Sequence, residues 1–323
     1  MNIDQISELT EQDMEDVNSE IRTRLASEIT LINKLVQYIV DSGGKRIRPM
    51  ITLLTARALC YKKTQHVTIA TLIEFIHTAT LLHDDVVDKS HMRRGRRTTN
   101  VIFGNAASVL VGDFIYTRAF QMMTELESLR ILSLMADAVN IIAAGEILQL
   151  THCHDPSITI DSYMKIIYSK TARLFEVASQ SSAILAGANA CQEKALRNYG
   201  RYMGIAFQLV DDVLDYSASE TIFGKNVGND LNEGKLTLPL LHAIHHSTSK
   251  QASLIIQSIK KGNHRHLLNI ILDTMHQHGS LEYTRQCAET EIKKAISCLD
   301  ILPPSPYRQA LESLAAYTIQ RIY

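Results

Sequence analysis

The chain of 323 residues contains no tryptophan, and its aromatic content is only 6%. Glycine (14) and proline (6) are also scarce, at roughly half their usual combined share of about 12%. A strand-and-turn protein needs many turn formers, so their scarcity argues for long helices. An excess of either charge is missing too: 33 Lys and Arg face 34 Asp and Glu, for a net charge of −1. With no basic footprint over the whole chain, no nucleic-acid partner is expected. The five cysteines (Cys60, Cys153, Cys191, Cys287, Cys298) are odd in number and contain no CxxC pair. They fit a reducing cytoplasm better than a disulfide framework. The most apolar stretch we find, "TIATLIEFIHTATLL", carries Glu74 and His77 and is too short and polar for a membrane span. The N-terminal "MNIDQISELTEQDMEDV" is acidic and lacks the apolar segment of a signal peptide. These features predict a soluble, cytoplasmic protein.

Apolar residues recur at helical spacing over 28–40, 68–88, 107–123, 139–150, 166–187 and 199–217. Breaks fall at "DSGGKRIRP", "RRGRRTTN", "HDPSIT", "GKNVGNDLNEGK" and "ILPPSP". No low-complexity linker or long repeat divides the chain, and its length allows one large domain or two small ones.

One echo stands out. "LLHDDVVDKS" returns later as "QLVDDVLDYS", so that DDxxD closes an apolar helix twice. In a helix Asp84 and Asp88 share a face one turn apart, as do Asp211 and Asp215. Such acids repel each other and oppose the negative end of the helix dipole. Local rules broken at two matched places mark a functional site. A hard cation resolves the conflict, because magnesium is commonly held by one or two carboxylates plus substrate phosphates. A calcium loop would need oxygens at alternating positions and a central glycine, which neither motif supplies. "THCHD" (151–155) lacks the ligand spacing of a zinc site and reads as an exposed polar turn.

Phosphate ligands require cations. Arg93 and Arg94 follow the first aspartates by one to two helical turns, and "GGKRIRP" brings Lys45, Arg46 and Arg48. Guanidinium forks and backbone N–H groups suit a diphosphate. His77, Thr80, Asp84 and Asp88 add a polar line along an apolar helix, although a buried histidine bonded to a carbonyl is an equal reading of His77.

Taken together, "GGKRIRP", "LLHDDVVDKSHMRRG", "YSKTA", "FQLVDDVLDY" and "GKNVGNDLNEGK" resemble the motif set of the trans-isoprenyl (polyprenyl) diphosphate synthases. The match runs in order from about residue 40 to the C-terminus. The resemblance implies an all-α isoprenoid-synthase fold, a single domain over 1–323 with antiparallel helices around a deep central cavity, in a homodimer. It implies head-to-tail addition of isopentenyl diphosphate to an allylic diphosphate, with three Mg2+ ions per site. By the same resemblance, Asp84, Asp88 and Asp211 are metal ligands supported by Asp85, Asp212 and Asp215. Lys45, Arg48, His77 and Arg94 would hold isopentenyl diphosphate. Arg93, Lys170 and Lys225 would grip the allylic diphosphate, with Lys235 nearby. Lys170, Thr171 and Gln208 would line the place where positive charge develops. "GRRTTN" and "EGKLTLP" depart slightly from the common pattern, at no residue assigned here.

Two rival functions differ by motif. A class I terpene cyclase mixes Asn, Ser or Thr with Glu in its second metal motif and has no use for "GGKRIRP". A non-catalytic partner subunit of a hetero-oligomeric synthase loses aspartates from one motif, and here both are intact. Ala79 and Thr80, just before Asp84, are small, so the tunnel for the growing chain is expected to pass them toward Met123 or Met135. The resemblance then implies a long product of about eight isoprene units, with nine or ten left open, for quinone side chains, and a loose membrane association through the lipid product is left open too.

Overall fold

The computed structural model describes residues 1–217, 227–261 and 267–320. Helices dominate it, as the sparse glycine and proline predict. Among the described residues the β structure is one two-stranded hairpin, Met92–Arg93 (β1) with Arg96–Arg97 (β2). The chain forms two compact units, each assembled from three separate stretches. The first comprises Met1–Val139, Leu174–Gly200 and Cys298–Leu314; the second comprises Asn140–Arg173, Arg201–Ser297 and Ala315–Tyr323.

Unit 1 contains α1 (Ile3–Leu9), α2 (Glu11–Leu25), α3 (Thr30–Asp41), α4 (Ile47–Ala58), α5 (Gln65–Val87), α6 (Thr99–Phe103) and α7 (Asn105–Glu125). At its centre α5 packs against α2, α4 and α7. Its 23 residues make a rod about 35 Å long. Ile69, Leu72, Ile73, Phe75 and Ile76 along it are all buried, and so are Ile51, Leu53 and Leu54 of α4. This helix is apolar nearly all round until its last turn, which is why the acids at 84–88 are so conspicuous. It ends in a left-handed cap at Lys89 (φ 50), with Ser90 N–H bonded to Asp85 C=O and Lys89 N–H to Val86 C=O.

The stop at Val87 corrects one expectation. Arg93 and Arg94 do not follow the aspartates along the helix. They sit on the hairpin, whose turn is Arg94 (φ 52) and Gly95 (φ 74). Two successive positive φ values belong to the tight turn that matches strand twist, and glycine at the second accommodates one of them without a Cβ.

The helix α8 (Leu129–His152) follows. It is longer and more apolar than expected, enough to cross a bilayer by length and composition alone, so the stretch around 68–82 is not the most apolar helix. In unit 2, α9 (Ile160–Ile167) leads into one π-helical turn, Tyr168–Ala172; the helix after it, α10 (Arg173–Leu185), belongs to unit 1 from Leu174 onward. The next helix, α11 (Ala190–Ser217), ends in the second acidic motif.

Gly200 of α11 makes a close approach to α10 possible. A Cβ there would lie 2.3 Å from Phe175 O and 2.4 Å from Ser179 Oγ. Alanine would gain up to about 1 kcal/mol of helix propensity. The clash is with a backbone carbonyl that cannot rotate away, so the helices must separate. Gly200→Ala is expected to destabilise by about 2 kcal/mol net, read as a lower urea midpoint.

Candidate active site

The first acidic motif and both basic motifs lie in unit 1. The last turn of α5 leaves Asp84 and Asp88 half-exposed and turns Asp85 inward, where it is 4% exposed. Arg93 meets Asp85 Oδ1 with Nε at 2.9 Å and Nη2 at 2.8 Å. The inner acid therefore ties the hairpin to the helix, while the outer two share an open face. Arg94 reaches back across 51 positions and donates to the Gly43 carbonyl. Its guanidinium occupies the space a side chain at Gly44 would need, since a Cβ there would stand 2.7 Å from Nη1. The two basic stretches, distant in sequence, thus converge.

Arg46 begins α4 in the left-handed region (φ 48) and pairs with Glu74 Oε1 at 2.7 Å. Arg48 Nη1 lies 3.2 Å from His77 Nε2, and its guanidinium carbon sits 4.4 Å from the centre of the Phe175 ring, a cation–π geometry. Burial, followed by the charges of Arg48, Arg94, Arg93 and Arg46, holds the His77 imidazole well below its usual pKa. A guanidinium can only donate, so the neutral ring accepts at Nε2 and carries its proton on Nδ1. His77 is thus bonded to Arg48 through Nε2. Lys45 is exposed at the turn. A cavity opens beside these groups, with Arg46, Glu74, His77, Arg93 and Arg94 in its polar lining and Ile39, Leu81 and Leu82 among its apolar walls. That mixed lining suits a small amphipathic ligand.

Unit 2 holds the second acidic motif in the same arrangement. Asp211 and Asp215 are half-exposed, and Asp212 is 1% exposed. Asp212 accepts from the Tyr163 hydroxyl through Oδ2 and from Gln208 Nε2 through Oδ1 at 2.9 Å. Burial, then the charges of Asp230 and Asp211, push its carboxyl well above the usual carboxylate range, and the bonds from Tyr163 and Gln208 oppose that shift. Asp215 Oδ2 accepts from the backbone N–H of Asp230 at 3.1 Å.

Lys170 and Thr171 occupy the π-helical turn. Turns of this kind insert an extra residue, re-aim side chains and recur at functional sites. The backbone there runs so close to α8 that a Cβ on Gly145 would stand 2.6 Å from Ser169 Cβ. Lys170 Nζ bonds to Glu146 Oε2 at 2.7 Å and Gln149 Oε1 at 2.8 Å. Thr171 Oγ1 donates to Gln208 Oε1 at 2.7 Å. Lys235 pairs with Glu233 at 2.6 Å. Lys225, expected to bind the allylic diphosphate, lies outside the described residues.

The sequence reading missed Glu74, Glu146, Gln149, Tyr163 and Asp230. Glu146 and Gln149 leave a signal, two polar residues three apart in the apolar run "IIAAGEILQL". Tyr163 leaves none, because its partner is 49 positions away. The histidines of "THCHD" go separate ways: His152 Nδ1 lies 3.1 Å from Asp155 Oδ2, and His154 Nδ1 lies 2.7 Å from the Ile259 carbonyl.

The half-exposed acids of each motif present carboxylate oxygens at a helix end, a hard donor type that fits magnesium. Asp84 and Asp88 would serve as ligands at the first motif and Asp211 at the second, with further ligands from water and a substrate's phosphates.

Comparison with known proteins agrees with this chemistry. The model of the polyprenyl synthetase family matches residues 29–275. The chain is 62% identical to octaprenyl diphosphate synthase of Escherichia coli (strain K12) over 99% of both chains. It is 57% identical to the enzyme of that name from Haemophilus influenzae, over 100% of this chain and 98% of the relative. A polyprenyl synthase from Caulobacter crescentus CB15, solved with calcium and isoprenyl diphosphate, superimposes with a TM-score of 0.95 at 40% identity, covering 100% of this chain and 98% of that one. These neighbours share the all-α isoprenoid-synthase fold expected from the motifs. Enzymes of the family depend on magnesium and use allylic and isopentenyl diphosphates. The chain belongs to the polyprenyl synthetase family, as a prenyltransferase of the long-chain trans-polyprenyl diphosphate synthase kind.

Proposed function

We propose that the chain adds isopentenyl diphosphate repeatedly to farnesyl diphosphate and releases octaprenyl diphosphate, the precursor of a quinone side chain. One observation carries the chemistry: in both DDxxD motifs the outer acids are half-exposed while the middle acid is buried and bonded internally. The motifs are therefore supported ligand sets rather than solvated helix faces. The product length is supported by the 62% identity to an octaprenyl diphosphate synthase. The working form is a cytoplasmic homodimer, one domain per chain, with three magnesium ions per site.

When bound, magnesium neutralises the leaving diphosphate. Lys170, Arg93 and Lys235 add positive charge to the allylic diphosphate, and Lys225 is assigned with them. As the allylic C–O bond breaks, the Thr171 hydroxyl and the Gln208 carbonyl present dipoles to the developing cation. Lys45, Arg48, His77 and Arg94 hold isopentenyl diphosphate, whose double bond attacks that carbon. The proton then lost goes to the released diphosphate, since the motif set contains no dedicated base. Mass analysis of products from purified protein, given both substrates and magnesium, tests this. C40 diphosphate supports the reading, and no condensation product refutes it.

The two basic groups predict separable kinetics. Lys45→Ala and Arg48→Ala are expected to raise KM for isopentenyl diphosphate roughly tenfold or more with a smaller change in kcat, the usual scale for a charge-assisted hydrogen bond. Lys170→Ala is expected to act on kcat or on KM for the allylic substrate. Steady-state kinetics with the two patterns exchanged would reverse the assignment.

A further inference from the structure

Tyr163 belongs to none of the motifs, yet it is only 3% exposed and its hydroxyl donates to Asp212 Oδ2. The other oxygen of that carboxylate receives the Gln208 NH2 at 2.9 Å. With its NH2 tied inward, the amide turns its carbonyl toward Thr171, whose hydroxyl donates to it at 2.7 Å. Four side chains thus form one directional chain, from Tyr163 through Asp212 and Gln208 to Thr171.

The direction matters chemically. The two ends of a primary amide are nearly the same size, and only its partners decide which way it points. Asp212 Oδ1 takes the Gln208 NH2, and that contact selects the orientation that hands the amide oxygen to Thr171. Because Thr171 then spends its proton on Gln208, it presents lone pairs elsewhere. A reversed amide would set N–H against Thr171 and turn the hydroxyl proton outward. Oxygen lone pairs stabilise a nearby allylic cation, whereas N–H and O–H ends oppose it. The carboxylate can do this only while it is itself held, and Tyr163 occupies the oxygen that Gln208 does not use.

We propose that Tyr163, acting through Asp212, is a positioning residue that fixes the Gln208 amide and, through it, turns the oxygen of Thr171 toward the carbon that becomes positive. This rests on the assignment of Thr171 and Gln208 made above. A merely structural tyrosine would support folding without acting through Gln208, and a double-mutant cycle separates the two roles.

The cycle uses Tyr163→Phe, Gln208→Met and their combination in the full-length enzyme, with farnesyl and isopentenyl diphosphates and magnesium. Tyr163→Phe is expected to lower kcat about tenfold and to leave KM for isopentenyl diphosphate within about twofold. Gln208→Met is expected to lower kcat at least as much. In that background, adding Tyr163→Phe should change kcat less than about twofold. An equal loss in both backgrounds, or none in either, overturns the positioning role and leaves the assignment of Thr171 and Gln208 standing. Unchanged kcat in Gln208→Met overturns that assignment and the proposal with it. Should Tyr163→Phe fail to fold, Asp212→Asn takes its place in the same cycle, judged by the same non-additivity.

Discussion

Asp84→Ala and Asp211→Ala are each expected to lower kcat about a thousandfold, which is roughly 4 kcal/mol of transition-state stabilisation, with the fold intact. Both acids are half-exposed and sit one turn from a second acid at a helix end. Removing either relieves like-charge repulsion and an unfavourable dipole contact, each worth a few tenths of a kcal/mol to stability. The melting temperature should therefore hold or rise slightly while turnover collapses. Asp85 predicts the opposite balance. Asp85→Ala strands the Arg93 guanidinium, which meets Asp85 Oδ1 at 2.8 Å. Its main effect should be a lower melting temperature, discounted because the Arg93 side chain is 33% exposed. EDTA should stop the wild type and magnesium restore it. Near-normal turnover in Asp84→Ala would remove that residue from the metal site.

Thr80→Tyr is expected to shorten the product from C40 to about C15–C20, read by chromatography of the dephosphorylated chains, with little loss of stability. Sequence alone treats Ala79 and Thr80 as equivalent small residues near the start of the tunnel. Their environments differ. Ala79 has no exposure, whereas Thr80 is half-exposed with its hydroxyl bonded to the His77 carbonyl at 2.8 Å. A ring at Thr80 has room to extend and block the path of a growing chain. A ring at Ala79 must first push apart a packed core, which costs about 1–3 kcal/mol. Ala79→Tyr should thus show its effect mainly in the melting temperature. Met123 and Met135, the expected floor, are also buried, a position where flexible thioethers adapt to different chain lengths. Full-length product from Thr80→Tyr at the normal rate would mean that the chain does not pass this face of α5.

What the sequence determined by itself was everything that depends on neighbours three or four positions apart. Helix periodicity is written by bonds from i to i−4, so the long helices, their breaks and the paired acids of each DDxxD could be read directly. The basic motifs could be read for the same reason, as could the family they resemble. Tertiary structure decided which acid of each triplet faces inward, because that depends on what the helix packs against. Asp85 found Arg93 on a hairpin where a continuing helix was expected, and Asp212 found Tyr163 on another helix. The approach of Arg94 to Gly43, the capture of Lys170 by Glu146 and the difference between Ala79 and Thr80 are of the same kind. Each joins or separates residues by packing between elements, and no local spacing in the chain encodes it.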